Sequence, residues 1–113
     1  MIARFWSAQA TPAQAPAYAD HLRSHVLPIL RAVDGYAGAM LLQRDASAAV
    51  EIVVITWWRS LEAIRAFAGA DVDAAVVADE AATLLTQFDR RARHYTVVMQ
   101  DAIADLGSPG DGA

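Results

Sequence analysis

The stretch from Glu51 to Gly69 has the clearest pattern of hydrophobic and polar positions in the chain. From Ile52 to Trp58, β-branched and aromatic residues follow one another without interruption, as is typical of a strand. A strand with one solvated face should alternate, so this one is expected to be covered on both faces. Ser60 as N-cap and Gly69 as terminator predict a short amphipathic helix next.

Upstream, apolar periodicity predicts a helix that begins near Pro16. Thr11 and Gln14 fit a capping box, but Pro16 would interrupt the second turn, so the regular helix is expected to start there. Pro28 should kink the helix or end it near Val26. The face expected to be buried contains Tyr18, Leu22, His25 or Val26, Ile29 or Leu30, and Val33.

The remaining patterns complete a β-α-β-β-α-β order. Strands are predicted at 2–7, 36–44, 51–58 and 92–99, with a hairpin turn at 45–49, and a short extra helix at 80–86 capped by Asp79. This order predicts an α+β, ferredoxin-like fold with an antiparallel sheet covered by helices on one face. The strand that is apolar on both faces then favours a homodimer that docks sheet against sheet. We expect one domain over residues 1–100 and a flexible tail over 101–113.

Composition narrows the classes of function. The chain has 113 residues, no cysteine and a formal net charge of −4, which excludes thiolate chemistry and disfavours a nucleic-acid partner. Apolar residues make up 56% of it, an excess that hints at surface buried between subunits. No signal-peptide pattern or membrane-length apolar run is present, so a cytoplasmic protein that does not bind a membrane is expected.

Three histidines are candidates for chemistry. His21 and His25 have the i, i+4 spacing of a metal pair, but no third ligand is evident, so we expect no metal. His25 falls on the apolar face and is predicted to border the core or a pocket, with His21 in solvent. His94, in the last strand, is the candidate general base if it points inward; otherwise it pairs across the sheet.

Other residues could shape a pocket for an aromatic ligand. Trp6 and Trp58 could form a flat wall, although packing in the core or an interface explains tryptophans equally well. Trp57 must face away from Trp58, because neighbouring residues on a strand point to opposite faces. Arg4 lies on the first strand, where an inward guanidinium could bind a phenolate or carboxylate, or pair with an acid.

Several segments together resemble the antibiotic biosynthesis monooxygenase superfamily, in particular its small bacterial members. They are MIARFW, GYAG, TWWRSLEAIRAFAG and FDRRARHYTVV, which extend over about residues 1–99. The resemblance implies a dimeric α+β barrel with a pocket between sheet and helices. It also implies an activity, either oxidation of aromatic polyketides without a cofactor or haem degradation.

This chain differs from the haem-degrading branch of that family at two positions. Aligned through the W-x-S step, the resemblance puts Val77 at the position of the iron-binding histidine and Phe67 at that of a tryptophan that presses on the porphyrin. Valine cannot ligate iron, so haem degradation by that mechanism is not expected. Haem binding through His25 or His94 stays an alternative.

The sequence therefore predicts a monooxygenase that needs no cofactor and acts on a small aromatic or polyketide-like substrate. His94 would be its base. The predicted pocket residues are Arg4, Trp6, His25, Trp58, Phe67 and Val77. The alternative is a non-catalytic or stress-associated dimer that binds a hydrophobic ligand or none.

Overall fold

A computed structural model describes residues 1–103 and contains one antiparallel sheet with a helical layer on one face. The strands are β1 (Ile2–Ala10), β2 (Tyr36–Ala46), β3 (Ala49–Trp58), β4 (Gln87–Phe88) and β5 (Arg93–Thr96). β3 lies between β2 and β1, and the other edge of β1 pairs with β4 at one end and β5 at the other. The α+β, ferredoxin-like prediction is confirmed.

The strands near the hairpin are longer than predicted. β1 continues to Ala10 because its pairing with β3 extends to Ala10 opposite Val50, and Ala10 is fully buried there. β2 and β3 form the predicted hairpin, and its turn is shorter than expected because pairing reaches Ala46 opposite Ala49. Ser47 makes the turn with a φ of 59°, a conformation that tight hairpin turns require.

The first helical element has three parts: α1 (Ala15–His21), a π-helical turn (Leu22–Val26) and α2 (Leu27–Arg31). In the π turn the amide of Leu27 donates to the carbonyl of Leu22, five residues back. Pro28 does not end the helix near Val26. It lacks an N–H for the carbonyl four residues earlier, and the wide turn just before it accommodates this defect.

The helix after β3 follows the prediction closely. α3 spans Leu61–Ala68, and the Ser60 hydroxyl accepts a hydrogen bond from the Ala63 amide at 3.2 Å. Gly69 ends the helix with a φ of 89°, which glycine adopts without steric cost.

The predictions beyond α3 are less accurate. The helix expected at 80–86 is a single turn, α4 (Asp79–Ala82), and Asp79 lies inside it instead of capping it. The chain then forms β4, which the sequence did not suggest, and β5 is four residues long. Of the predicted tail, residues 104–113 lie outside the described residues.

The two faces of the sheet differ in environment. Even-numbered residues of β1 and β3 face the helices, where Ile52 and Trp58 are fully buried. The opposite face carries exposed apolar residues, including Leu42 at 45% and Tyr95 at 50% exposure. Within residues 1–103 no helix is long and apolar enough to cross a membrane.

Candidate functional site

A cavity of about 70 Å³ lies between the helix-facing side of the sheet and the helical layer. Its walls are mostly apolar, with Arg4, His21 and Thr56 as the main polar side chains. The apolar part of the lining comes from the sheet, the helices and the segment before α4. Its residues are Trp6, Tyr18, Leu22, Val26, Leu30, Val54, Phe67, Val76, Val77, Ala78 and Ala81.

Arg4 is the buried cation of this cavity. It lies on β1 between Thr56 of β3 and His94 of β5, so the sheet register points it toward the helices. Only 5% of its surface is exposed. Its Nη1 donates to the Val72 carbonyl at 2.5 Å and its Nη2 donates to the Ala74 carbonyl at 2.7 Å.

A third contact links Arg4 to a carboxylate through histidine. Arg4 Nη1 lies 2.8 Å from His94 Nε2, and His94 Nδ1 lies 3.0 Å from Asp73 Oδ1. Arginine can only donate, so His94 Nε2 must accept and the ring proton must sit on Nδ1, facing Asp73. His94 is thus held neutral between a cation and an anion.

The pKa shifts of His94 and Arg4 agree with this arrangement. Burial, and secondarily the charge of Arg4, lower the pKa of His94 against the opposing effect of Asp73. Burial likewise lowers the pKa of Arg4, and Asp73 opposes the shift. Because no carboxylate among the described residues lines the cavity, Arg4 is a cation suited to an anionic ligand.

His21 is the second polar group of the cavity wall. Its Nε2 is buried and has no hydrogen-bond partner within residues 1–103. Its ring stacks on the exposed His25 ring, with 5.3 Å between centroids and 11° between planes. Sequence reasoning missed His21, which was expected in solvent, and placed His25 inside instead.

The aromatic wall is only partly as predicted. Phe67 faces the cavity, and Trp58 stacks behind it at 5.6 Å between centroids, fully buried in the core. The Trp58 indole N–H donates to the Thr56 hydroxyl at 2.7 Å. Trp6 lines the cavity and donates to the Asp89 carbonyl at 2.7 Å, which fixes its ring.

The structure therefore brings together some of the predicted site residues and separates others. Arg4, Trp6, Phe67 and Val77 line the cavity. Three do not, each for a different reason. His25 is exposed, Trp58 lies behind Phe67, and His94 has both ring nitrogens engaged by Arg4 and Asp73.

The cavity as it stands is too small to enclose a porphyrin or even one whole aromatic ring. Its volume is about half of the ~150 Å³ that accommodates a single benzene ring in an engineered protein cavity. Val77 lies in its wall and offers no ligand to iron, whereas His21 is an imidazole in the same wall. In the part of the chain that the structure describes, no cluster of three potential metal ligands occurs.

These features define a class of protein: a small ferredoxin-like α+β domain with an apolar cavity between sheet and helices. The antibiotic biosynthesis monooxygenase family has a sequence profile that matches residues 1–79, about 70% of the 113 residues. The chain belongs to this family, as its sequence motifs indicated. The match ends before β5, so it does not include His94.

Solved structures share this fold. A candidate antibiotic biosynthesis monooxygenase of Bacillus cereus is 14% identical, with a TM-score of 0.66 over 93% of this chain and 98% of the other. The haem degrader MhuD of Mycobacterium tuberculosis, solved with two haems bound, is 22% identical, with a TM-score of 0.58 over 90% and 100%. The monooxygenase ActVA-Orf6 of Streptomyces coelicolor, solved with nanaomycin D, is 16% identical, with a TM-score of 0.57 over 92% and 91%. No curated protein sequence matches the chain.

Proposed function

We propose that this protein is a monooxygenase that oxidises a small aromatic substrate without a metal or prosthetic group. The observation that carries the proposal is a buried guanidinium in an apolar cavity. Of the five N–H donors of Arg4, three are used by Val72, Ala74 and His94 within the described residues. The other two can bind an oxyanion.

The chemistry such a site can support starts from a phenol. Loss of the phenolic proton leaves an anion, and Arg4 stabilises the negative oxygen in an environment of low dielectric constant. The electron-rich ring then transfers an electron to O₂. In the balanced reaction, a phenol and O₂ give a quinone and water, so one oxygen atom enters the ring and the other leaves as water. The apolar walls keep bulk water away from the intermediates.

In this proposal His94 is not the general base that the sequence suggested. Since its Nε2 is bonded to Arg4, it is a positioning residue that keeps the guanidinium oriented and charged, and Asp73 in turn fixes its tautomer. The proton of the substrate must therefore go to a group other than His94.

The test is O₂ consumption with a panel of small phenols and naphthols. We expect Arg4→Gln to lower kcat by about 10²-fold, the usual effect of losing one oxyanion donor. Arg59→Gln, at an exposed arginine directly before the N-cap of α3 and outside the cavity lining, is the control. Unchanged turnover in a folded Arg4→Gln protein would refute the role of Arg4.

A non-catalytic binding protein is the second candidate, and the small cavity favours it. About 70 Å³ admits only part of an aromatic ring unless the walls move. If the wild-type protein binds phenols but never consumes O₂ with them, this candidate replaces the oxygenase.

We also propose that the protein is a homodimer through its open sheet face. That face is formed by Phe5, Met40, Leu42, Val53, Ile55, Trp57 and Tyr95. Leu42→Glu should give a monomer in analytical ultracentrifugation, whereas Leu61→Glu, at an equally exposed leucine on α3, should not. A wild-type protein that sediments at its 12.1 kDa chain mass would contradict the dimer.

A further inference from the structure

We propose that His21 is the acid–base group of the cavity, which accepts the proton of a bound acidic hydroxyl so that the ligand is held as an anion between His21 and Arg4. The choice of an aromatic hydroxyl compound as ligand rests on the proposed function. The ionisation of that ligand on binding is a separate claim, which does not require turnover.

The main observation is the state of the imidazole. His21 lines the cavity, and its Nε2 is buried and has no hydrogen-bond partner within residues 1–103. Buried polar atoms are rarely left without one, and an unpaired ring nitrogen in a cavity wall is suited to a ligand hydroxyl. In the neutral ring, that nitrogen accepts a hydrogen bond, and then a proton, when Nδ1 carries the ring hydrogen.

The other groups around the cavity cannot take this role. Burial raises the pKa of Tyr18, whose ring lies 6.4 Å from that of His21, so its phenol stays protonated. The Thr56 hydroxyl already accepts from the Trp58 indole. Arg4 carries no lone pair to offer, and His94 is outside the cavity lining.

The charges facing His21 favour an anion over a neutral ligand. From its own helix it meets Tyr18 and the stacked His25, and across the cavity Arg4 projects from β1. No carboxylate lines the cavity among the described residues. Once His21 takes a proton, it and Arg4 are two cations in a low-dielectric space, and an oxyanion between them attracts both and reduces their mutual repulsion.

The local backbone explains how His21 reaches the cavity. It is the last residue of α1 and directly precedes the π turn that begins at Leu22. Both His21 and Leu22 line the cavity, three and four residues after Tyr18, as neighbours on a helix face do. Wide turns of this type occur frequently at functional sites.

The test uses 4-nitrophenol, whose phenolate absorbs visible light and whose neutral form does not. Titrated anaerobically at mildly acidic pH, the wild-type protein should generate the phenolate band in proportion to the bound probe. His21→Gln keeps a polar side chain but cannot take the proton, and should lower the phenolate fraction of the bound probe at least tenfold. His25→Gln, at the exposed histidine, should change it less than twofold.

The outcomes separate this inference from the proposed function. A phenolate band that depends on His21, together with no O₂ consumption by any phenol or naphthol of the panel, supports the role of His21 and refutes the oxygenase. O₂ consumption that is unaffected by His21→Gln refutes the role of His21 alone. Failure of the wild-type protein to bind 4-nitrophenol, or an equal phenolate band in His21→Gln, also overturns the inference. His21→Phe, which retains the aromatic stack on His25, is the second variant if His21→Gln does not fold.

Discussion

Replacing His94 with leucine tests the chain of contacts that orients Arg4. The substitution introduces an apolar side chain of similar size and removes both ring nitrogens. Arg4 Nη1 then loses its 2.8 Å acceptor, and Asp73 loses the group at 3.0 Å that links it to the guanidinium. We expect His94→Leu to destabilise the protein.

The size of the effect follows from the burial of the two partners. A hydrogen bond to a charged group contributes about 1.5–3 kcal/mol, and Arg4 is only 5% exposed, so water cannot replace its acceptor. Asp73 is 49% exposed, so solvent compensates most of its loss. The free energy of unfolding should therefore fall by about 2–3 kcal/mol, and Tm by roughly 10 °C for a domain of this size.

The same contact predicts a pH dependence. The pKa of His94 in the folded protein is lowered from its ordinary value of 6.5, mainly by burial and then by Arg4. Below pH 6.5 the unfolded chain binds a proton at this position more readily than the folded chain, so the free energy of unfolding decreases as the pH is lowered. Above pH 6.5 His94 is neutral in both states, and its contribution to the free energy of unfolding is complete. The wild-type protein should lose stability between pH 6.5 and the lowered pKa, and His94→Leu should lose less.

Urea unfolding followed by tryptophan fluorescence measures both effects. His25→Leu is the matched control, because His25 is exposed and makes no side-chain hydrogen bond among the described residues. We expect it to stay within about 0.5 kcal/mol of the wild type, as surface substitutions usually do. Equal stabilities of the two leucine variants, or a wild type that gains stability from pH 7 to 5, would refute the reasoning.

Two further predictions concern the backbone and a helix cap. Gly35→Ala should cost more than Gly69→Ala, because both have positive φ but an added Cβ at Gly35 would lie 2.6 Å from the Ala63 Cβ, whereas the space at Gly69 is open. We expect at least 2 kcal/mol for Gly35 and about 1 kcal/mol for Gly69, and equal losses in thermal unfolding would show that the contact is relieved. Ser60→Ala should lower stability by about 1 kcal/mol through the lost cap of α3; Ser24→Ala, at an exposed serine, is the control, and a Ser60→Ala protein no less stable than it would contradict the capping role.

The sequence predicted most of the fold because local signals and long-range pairing agree there. The strand pattern of 51–58, the cap at Ser60 and the stop at Gly69 all match the structure. The failures lie where pairing alone decides. β4 consists of two residues that are strand only because they lie beside β1 at Ala8 and Gln9, and a segment so short carries no periodicity.

The sequence predicted less of the site, for a reason that lies in the first helix. A regular helix with 3.6 residues per turn would bring His25 and Ile29 toward the core. The π turn adds a residue to one turn, so Val26 and Leu30 take those places, and His25 and Ile29 are exposed. The apolar residues Tyr18, Leu22, Val26 and Leu30 recur at intervals of four, and this spacing is the signal that could have revealed the wide turn.

The central family segment, residues 56–69, contributes more to the fold than to the site. Trp58, Ser60 and Gly69 belong to this segment, and they fill the core, cap α3 and end it. Thr56 and Phe67 are the residues of this segment that line the cavity. His21 lies outside all four family segments, and Arg4 lies in the first of them, MIARFW, so the central segment specifies mainly a scaffold and leaves its chemistry open. A relative with the same motif but no basic residue at these two positions should share the fold and bind no anion in the cavity.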